Sequence, residues 1–238
     1  MPHTLRQSFE HQLVELQDDI LRMGSYVVQM LNLSMKALVQ RDLNAAQHVV
    51  EMDDTADQMD LSIEQKCMRL LAMQQPMSRD LRVIGTALKI ITDLERIGDF
   101  AVDVAKSARR LATEPYVETP EELIRMSRAV EWMVRECIHA YVEHDLDLVH
   151  QVVVRDDEVD DSYDLLFTQL LEQMERNPSC IRQATWLLHV ARFLERVADH
   201  SVNVAERVCY VETGELKQLA KSHKSHQPNG DHSGGAGR

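Results

Sequence analysis

Leu94-Glu95-Arg96-Ile97-Gly98-Asp99-Phe100-Ala101-Val102-Asp103-Val104-Ala105 is read again, one hundred residues on, as Leu194-Glu195-Arg196-Val197-Ala198-Asp199-His200-Ser201-Val202-Asn203-Val204-Ala205. Leu, Glu, Arg, Asp, Val, Val and Ala recur in register, while Ile/Val and Gly/Ala exchange for similar sizes. Around the first copy Ile90, Leu94, Ile97, Ala101, Val104, Ala108 and Leu111 alternate by four and three, the apolar seam of a helix packed in a bundle. At about 100° per residue, Glu95, Asp99 and Asp103 fall roughly 100°, 140° and 180° from Leu94, one carboxylate row up the shoulder of that seam. Like charges four residues apart cost roughly a few tenths of a kcal/mol per pair. A row of three therefore asks for solvent, a counter-cation or a metal.

The repeat reaches further. Residues 37–57 align without gaps on 140–160, with Ala, Val, Asp, Leu, Val, Val, Asp, Asp and Asp identical. The chain is thus two copies of a three-helix unit, residues 5–112 and 119–214, followed by a Gln-, His-, Ser-, Gly- and Lys-rich stretch 215–238 whose composition predicts disorder. Helix boundaries follow from punctuation. Thr4 to Gln7 reads as a capping box before a first helix to about Leu38, and Asp42 caps a second to about Met73, which Pro76 stops. Ser78 is placed as the cap of the third. Pro115 and Pro120 mark the boundary between units, with Pro120 at the first position of the fourth helix, which ends near Glu143. Asp145 caps a fifth to about Arg176, and Asn177-Pro178-Ser179 leads into a sixth that ends near Gly214. The fold class is all-α: two tandem antiparallel three-helix bundles, six long helices in all.

Few glycines, prolines and aromatics beside 44% hydrophobic residues agree with an all-helical chain. A net charge of -13 repels phosphate backbones, and no basic patch offsets it, so nucleic acid is not an expected partner. No window approaches the roughly 18 uninterrupted apolar residues of a membrane span, and residues 1–12 do not read as a secretory signal. Cys67, Cys137, Cys180 and Cys209 show no CxxC pairing and sit in helical patterns. They read as reduced thiols of a cytoplasmic protein.

The second helix of each unit carries acids of its own. With Ala56 as reference, Asp53 and Asp57 lie about 60° and 100° around, on the kind of shoulder that holds Glu95 and Asp99, and Asp156 and Asp160 repeat this beside Val159. A short connection makes the second and third helices antiparallel neighbours, so the two rows can face each other across a groove. One such row is an ordinary solvated face. The repetition of Asp53, Asp57, Glu95 and Asp99 as Asp156, Asp160, Glu195 and Asp199 turns the reading toward a cation site, with Asp103 joining the first set and Asn203 standing in its place in the second. Carboxylate oxygens suit Mg, Mn, Ca or ferric iron better than a structural zinc. Arg96 and Arg196 read as neutralising their acidic neighbours, and His200, whose counterpart is Phe100, as surface. Trp132, Trp186 and the methionines read as packing. A di-iron carboxylate enzyme of the ferritin-like kind is the competing reading. It needs two Glu-x-x-His motifs, and only Glu136 to His139 matches. No Walker A, GxSxG, HExxH or Rossmann glycine pattern is present.

With both signature copies in this frame, the chain resembles the PhoU phosphate-uptake regulators over about residues 5–214, since Leu94 to Asp99 and Leu194 to Asp199 look like that family's E(D)xxxD signature. The resemblance implies two three-helix bundles side by side, a homodimer, and metal ions on the acidic rows in some members, here Fe, Mn, Mg or Zn on Glu95, Asp99, Glu195 and Asp199. It also implies a non-enzymatic negative regulator, cytoplasmic or peripheral at the inner membrane, that links a Pst-type phosphate transporter to a PhoR-type histidine kinase. An accessory subunit of another phosphate transporter is a related expectation.

Overall fold

The computed structural model describes residues 2–74, 76–113, 119–216 and 218–219. Among these residues six helices follow in order: α1 Pro2–Gln40, α2 Leu43–Gln74, α3 Arg79–Leu111, α4 Glu121–Glu143, α5 Leu146–Arg176 and α6 Ile181–Thr213, with a 3-10 turn Pro178–Cys180 before the last. No strand occurs among the described residues. α1, α2 and α3 pack on one another, as do α4, α5 and α6, and the two bundles meet along α3 against α6 and α1 against α4. This is the architecture that the repeat predicts.

The seams are buried as their spacing requires. Ile90, Leu94, Ile97, Ala101, Val104, Ala108 and Leu111 are all covered on α3, and Leu194, Val197, Val204 and Val208 repeat the pattern on α6. Both units contribute to one continuous core, in which Met23, Met30, Met126 and Met133 fill gaps between the leucines and isoleucines. At about 25 cal/mol per Å² of apolar surface, a side chain such as Leu94 contributes roughly 2 kcal/mol. Ser34, on the α1 seam, is tolerated because its hydroxyl donates to the Leu31 carbonyl at 2.8 Å. α1 and α4 approach so closely that a β-carbon on Gly24 would meet Cγ1 of Ile138 at 2.8 Å.

The turn between first and second helix is built twice from the same parts. Arg41 and His144 take left-handed backbone angles, φ 56° and 58°, and the next amide returns to the carbonyl of Ala37 or Ala140 at 3.1 Å. Asp42 then accepts from the amides of Asn44 and Ala45, as Asp145 accepts from those of Asp147 and Leu148. Each left-handed residue also reaches the end of its own third helix: Arg41 donates to the Leu111 carbonyl at 2.9 Å, and His144 lies 3.0 Å from Glu212.

Three expected caps are corrected. α1 starts at Pro2, so Thr4 lies inside it, Pro being suited to a first helical position. Ser78 makes no side-chain cap: its φ of 51° turns it away from the extended backbone a capping serine needs. Pro120 stands one position earlier than expected, as the residue before Glu121, and its carbonyl accepts from the Leu123 amide. The boundary proline Pro115 and most of 215–238 lie outside the described residues.

Candidate functional site

The two acidic rows of the first unit do face each other. α2 and α3 are antiparallel, with Arg109 donating to Gln47 at 3.1 Å near one end of the pair, and this register sets Asp53, Asp57 and Asp60 opposite Glu95 and Asp99. Burial, and then the charges of Asp57 and Asp99, hold the Asp53 carboxyl above the ordinary carboxylate range. Burial raises Glu95 likewise, with Asp99, Asp60 and Asp57 adding to it and Arg96 opposing. Asp60 is raised by burial and by Glu64 and Asp57. It belongs to the groove, although the sequence reading above stopped at Asp57. The signal was present, because Asp53, Asp57 and Asp60 are spaced four and three on one helix face.

Cations already stand along this face. Arg96 lies 2.9 Å from Asp99 and 3.4 Å from Glu95, the neutralising role expected of it. Lys106 lies 3.4 Å from Asp103 and also lowers Asp53 through space.

The second face keeps the plan and changes the parts. Asp156 and Glu195 are buried where Asp53 and Glu95 are only half-buried. Beside Glu195 stands Arg192, which pairs with it and lies over the ring of Tyr163, 5.9 Å from guanidinium carbon to centroid. In the first unit these positions are Thr92 and Asp60. Arg196 is 4.0 Å from Asp199, a looser pair than its counterpart. Asn203 donates to Asp93 of α3 at 3.3 Å, so it serves the contact between the two units.

That contact also corrects the place of His200. It is half-buried, its Nδ1 2.8 Å from Asp93 and its ring 5.8 Å from Phe100. At the equivalent point Phe100 and Phe193 stack at 6.1 Å. A ring that looks exposed from one helix is covered by the helix crossing it.

All-oxygen donors in an open groove fit a hard cation. Among the described residues no three His, Cys, Asp or Glu side chains converge as a closed cage, so a bound ion would draw Asp57, Glu95 and Asp99 inward from the rows. The Glu136 to His139 motif does not aim inward: the imidazole is 58% exposed and lies 3.6 Å from Glu136 at the surface. Cys67, Cys137 and Cys180 are buried free thiols and Cys209 is half-buried. Burial pushes the Cys67 thiol up to about 12, far from a reactive thiolate. No helix among the described residues is long and apolar enough to cross a membrane.

The PhoU domain model matches residues 20–108 and again 123–208, one match on each three-helix unit. The chain belongs to the PhoU family. It is 42% identical over 215 residues to a phosphate-specific transport system accessory protein PhoU homolog of Clostridium acetobutylicum, covering 90% of this chain and 98% of that one. A protein of the same description from Caulobacter vibrioides is 37% identical over 214 residues, covering 90% and 93%. The crystal structure of PhoU from Pseudomonas aeruginosa superposes with a TM-score of 0.83 at 36% identity, covering 87% of this chain and all of that one. The phosphate transport system regulatory protein PhoU from Streptococcus pneumoniae gives the same TM-score at 30% identity.

Proposed function

We propose that this protein is an accessory regulator of phosphate-specific transport that works by docking and catalyses no reaction itself. It links a Pst-type transporter to a PhoR-type sensor kinase and holds the kinase inactive when phosphate is plentiful, as a homodimer at the cytoplasmic side of the inner membrane. The observation that carries this reading is near-full-length similarity to accessory proteins of phosphate-specific transport, with the family signature present twice. The two carboxylate grooves are the surfaces that distinguish the molecule from a plain helical scaffold. Fe, Mn, Mg or Zn ions held by Asp53, Asp57, Glu95, Asp99 and Asp103, and by Asp156, Asp160, Glu195 and Asp199, would offset the repulsion in the rows and shape the docking faces.

Deleting the protein should leave phosphate-starvation genes switched on in phosphate-rich medium, and the Asp99→Asn plus Asp199→Asn variant should restore repression only in part. Normal repression in the deletion strain would overturn the assignment.

A further inference from the structure

Cations gather where the two units meet, although no single stretch of the chain is basic. With Leu94 and Leu194 as zero, Lys89, Arg96, Arg196 and Arg207 all fall roughly 200° to 220° around their helices, between the acidic rows and the sides on which α3 and α6 touch. The two helices run antiparallel, since Asp93 meets His200 and Asn203 while Arg110 lies over the ring of Trp186, 4.6 Å from its centroid. Lys89 is one turn before Asp93 and Arg207 one turn after Asn203, so these two stand across the seam from each other. Lys89 is exposed and Arg207 half-buried. Among the described residues neither forms an ion pair, and the Nε of Arg207 has no hydrogen-bond partner. In a chain of 39 acids and 26 lysines and arginines, two adjacent cations without a carboxylate are the exception.

The other end of the seam is aromatic. Trp186, His189 and Phe193 follow one another at 5.5 and 6.3 Å between ring centroids, and Phe193 stacks on Phe100. His189 is exposed and the other three are half-buried. The counterparts of Lys89 and Arg207 at this end are His189 and Ser107, so the duplicated fold carries the cation pair once and the seam has a direction. Between the two ends stands Arg196, half-exposed and held only loosely by Asp199 at 4.0 Å.

Charge and shape together select the occupant. Lys89 and Arg110 lie roughly 30 Å apart along α3 at about 1.5 Å per residue, the reach of an extended segment of about ten residues. The strip is one helix pair wide, about 8 to 10 Å between axes, with Glu95 and Asp99 along one border and Asp199 along the other. A nucleic-acid backbone or an anionic bilayer would overlie those carboxylates and be repelled, whereas a single peptide strand keeps its acids on the midline. We propose that the α3/α6 seam docks an acidic segment of a partner protein, its carboxylates on Lys89, Arg207 and Arg196 and an apolar side chain on the Trp186 to Phe193 end. The inference rests on the reading of this molecule as a docking regulator and gives the chemistry of the segment it receives.

The test is fluorescence anisotropy of the full chain with a fluorescein-labelled synthetic peptide of about ten residues, glutamates at one end and phenylalanines at the other. The peptide should bind despite the net charge of -13, and binding should weaken severalfold in 1 M salt, where the Debye length is about 3 Å. Lys89→Glu plus Arg207→Glu should weaken it about tenfold with circular dichroism unchanged, exposed Lys89→Glu alone severalfold, and Trp186→Ala severalfold. The charge-matched pair Lys36→Glu plus Arg69→Glu, on exposed positions away from the seam, should leave it as it was. No binding, equal weakening by the charge-matched pair, equal binding of a peptide without phenylalanines, or tighter binding of a single-stranded oligonucleotide of the same length would each overturn the proposal. Because the deletion strain reads repression without this peptide, failure here with derepression there would remove the docking surface and leave the regulatory reading standing.

Discussion

The two acidic faces of this molecule began as one design and are now neutralised in different ways. On the first, Asp53, Asp57, Asp60, Glu95, Asp99 and Asp103 remain half-buried or exposed, and Arg96 and Lys106 stand at the surface beside them. On the second, Asp156 and Glu195 are buried, Arg192 pairs with Glu195 and lies over Tyr163, and Asn203 is turned to the neighbouring helix. In the first groove, burial and neighbouring carboxylates hold Asp53, Asp60 and Glu95 above the ordinary carboxylate range. Matching the motif alone would have made the faces equal. The exchanges Thr92 for Arg192, Asp60 for Tyr163 and Lys106 for Glu206 lie outside the signature, and they change which side chains stand beside each row of acids.

The comparison is sharpest where the two units share a core. Leu94→Ala and Leu194→Ala should each cost about 2 to 5 kcal/mol, and calorimetry should show one transition moving in both variants, since the buried cluster runs through both bundles. Two transitions, with each variant shifting only its own, would break that picture. Next come the two equivalent points of the α3/α6 contact. Phe193→Ala should cost about 2 kcal/mol in chemical denaturation through lost packing and ring contact, and Asp93→Ala about 1 kcal/mol through the lost hydrogen bond to His200. Equal costs would mean that the aromatic and polar versions are interchangeable.

Cation binding separates the faces by their ligands. Titration with Mn should show the first face binding about tenfold more tightly than the second, because ligand charge sets affinity and Asp103 has only Asn203 as its counterpart. Asp99→Asn should remove the tighter event and Asp199→Asn the weaker. Loss of both events in either single variant would merge the two sites into one. The smallest effect is electrostatic. A carboxylate whose folded pKa is raised contributes stability that is fully present below its unfolded pKa and lost as pH rises through the folded one. Without added metal, Glu95→Gln should therefore stabilise the protein at neutral pH by about 0.5 kcal/mol after solvent screening, and the gain should vanish as pH falls below the carboxylate range. A gain that persists in acid would assign the effect to packing.

Six helices, their order, their seams and the pairing of units were readable in the chain, because apolar spacing and an internal repeat are local records of which face is buried. The same holds for Asp42 and Asp145 as caps, where one residue satisfies amides two and three places on. The signature acids could likewise be placed on one shoulder by counting residues. Only the tertiary structure could seat His200 on Asp93, bury Glu195 and bring Asp60 into the first groove. Each of those depends on what a second segment, far away in sequence, places opposite a given side chain. Burial and counter-charge are properties of such pairs, and a helical period describes one partner at a time.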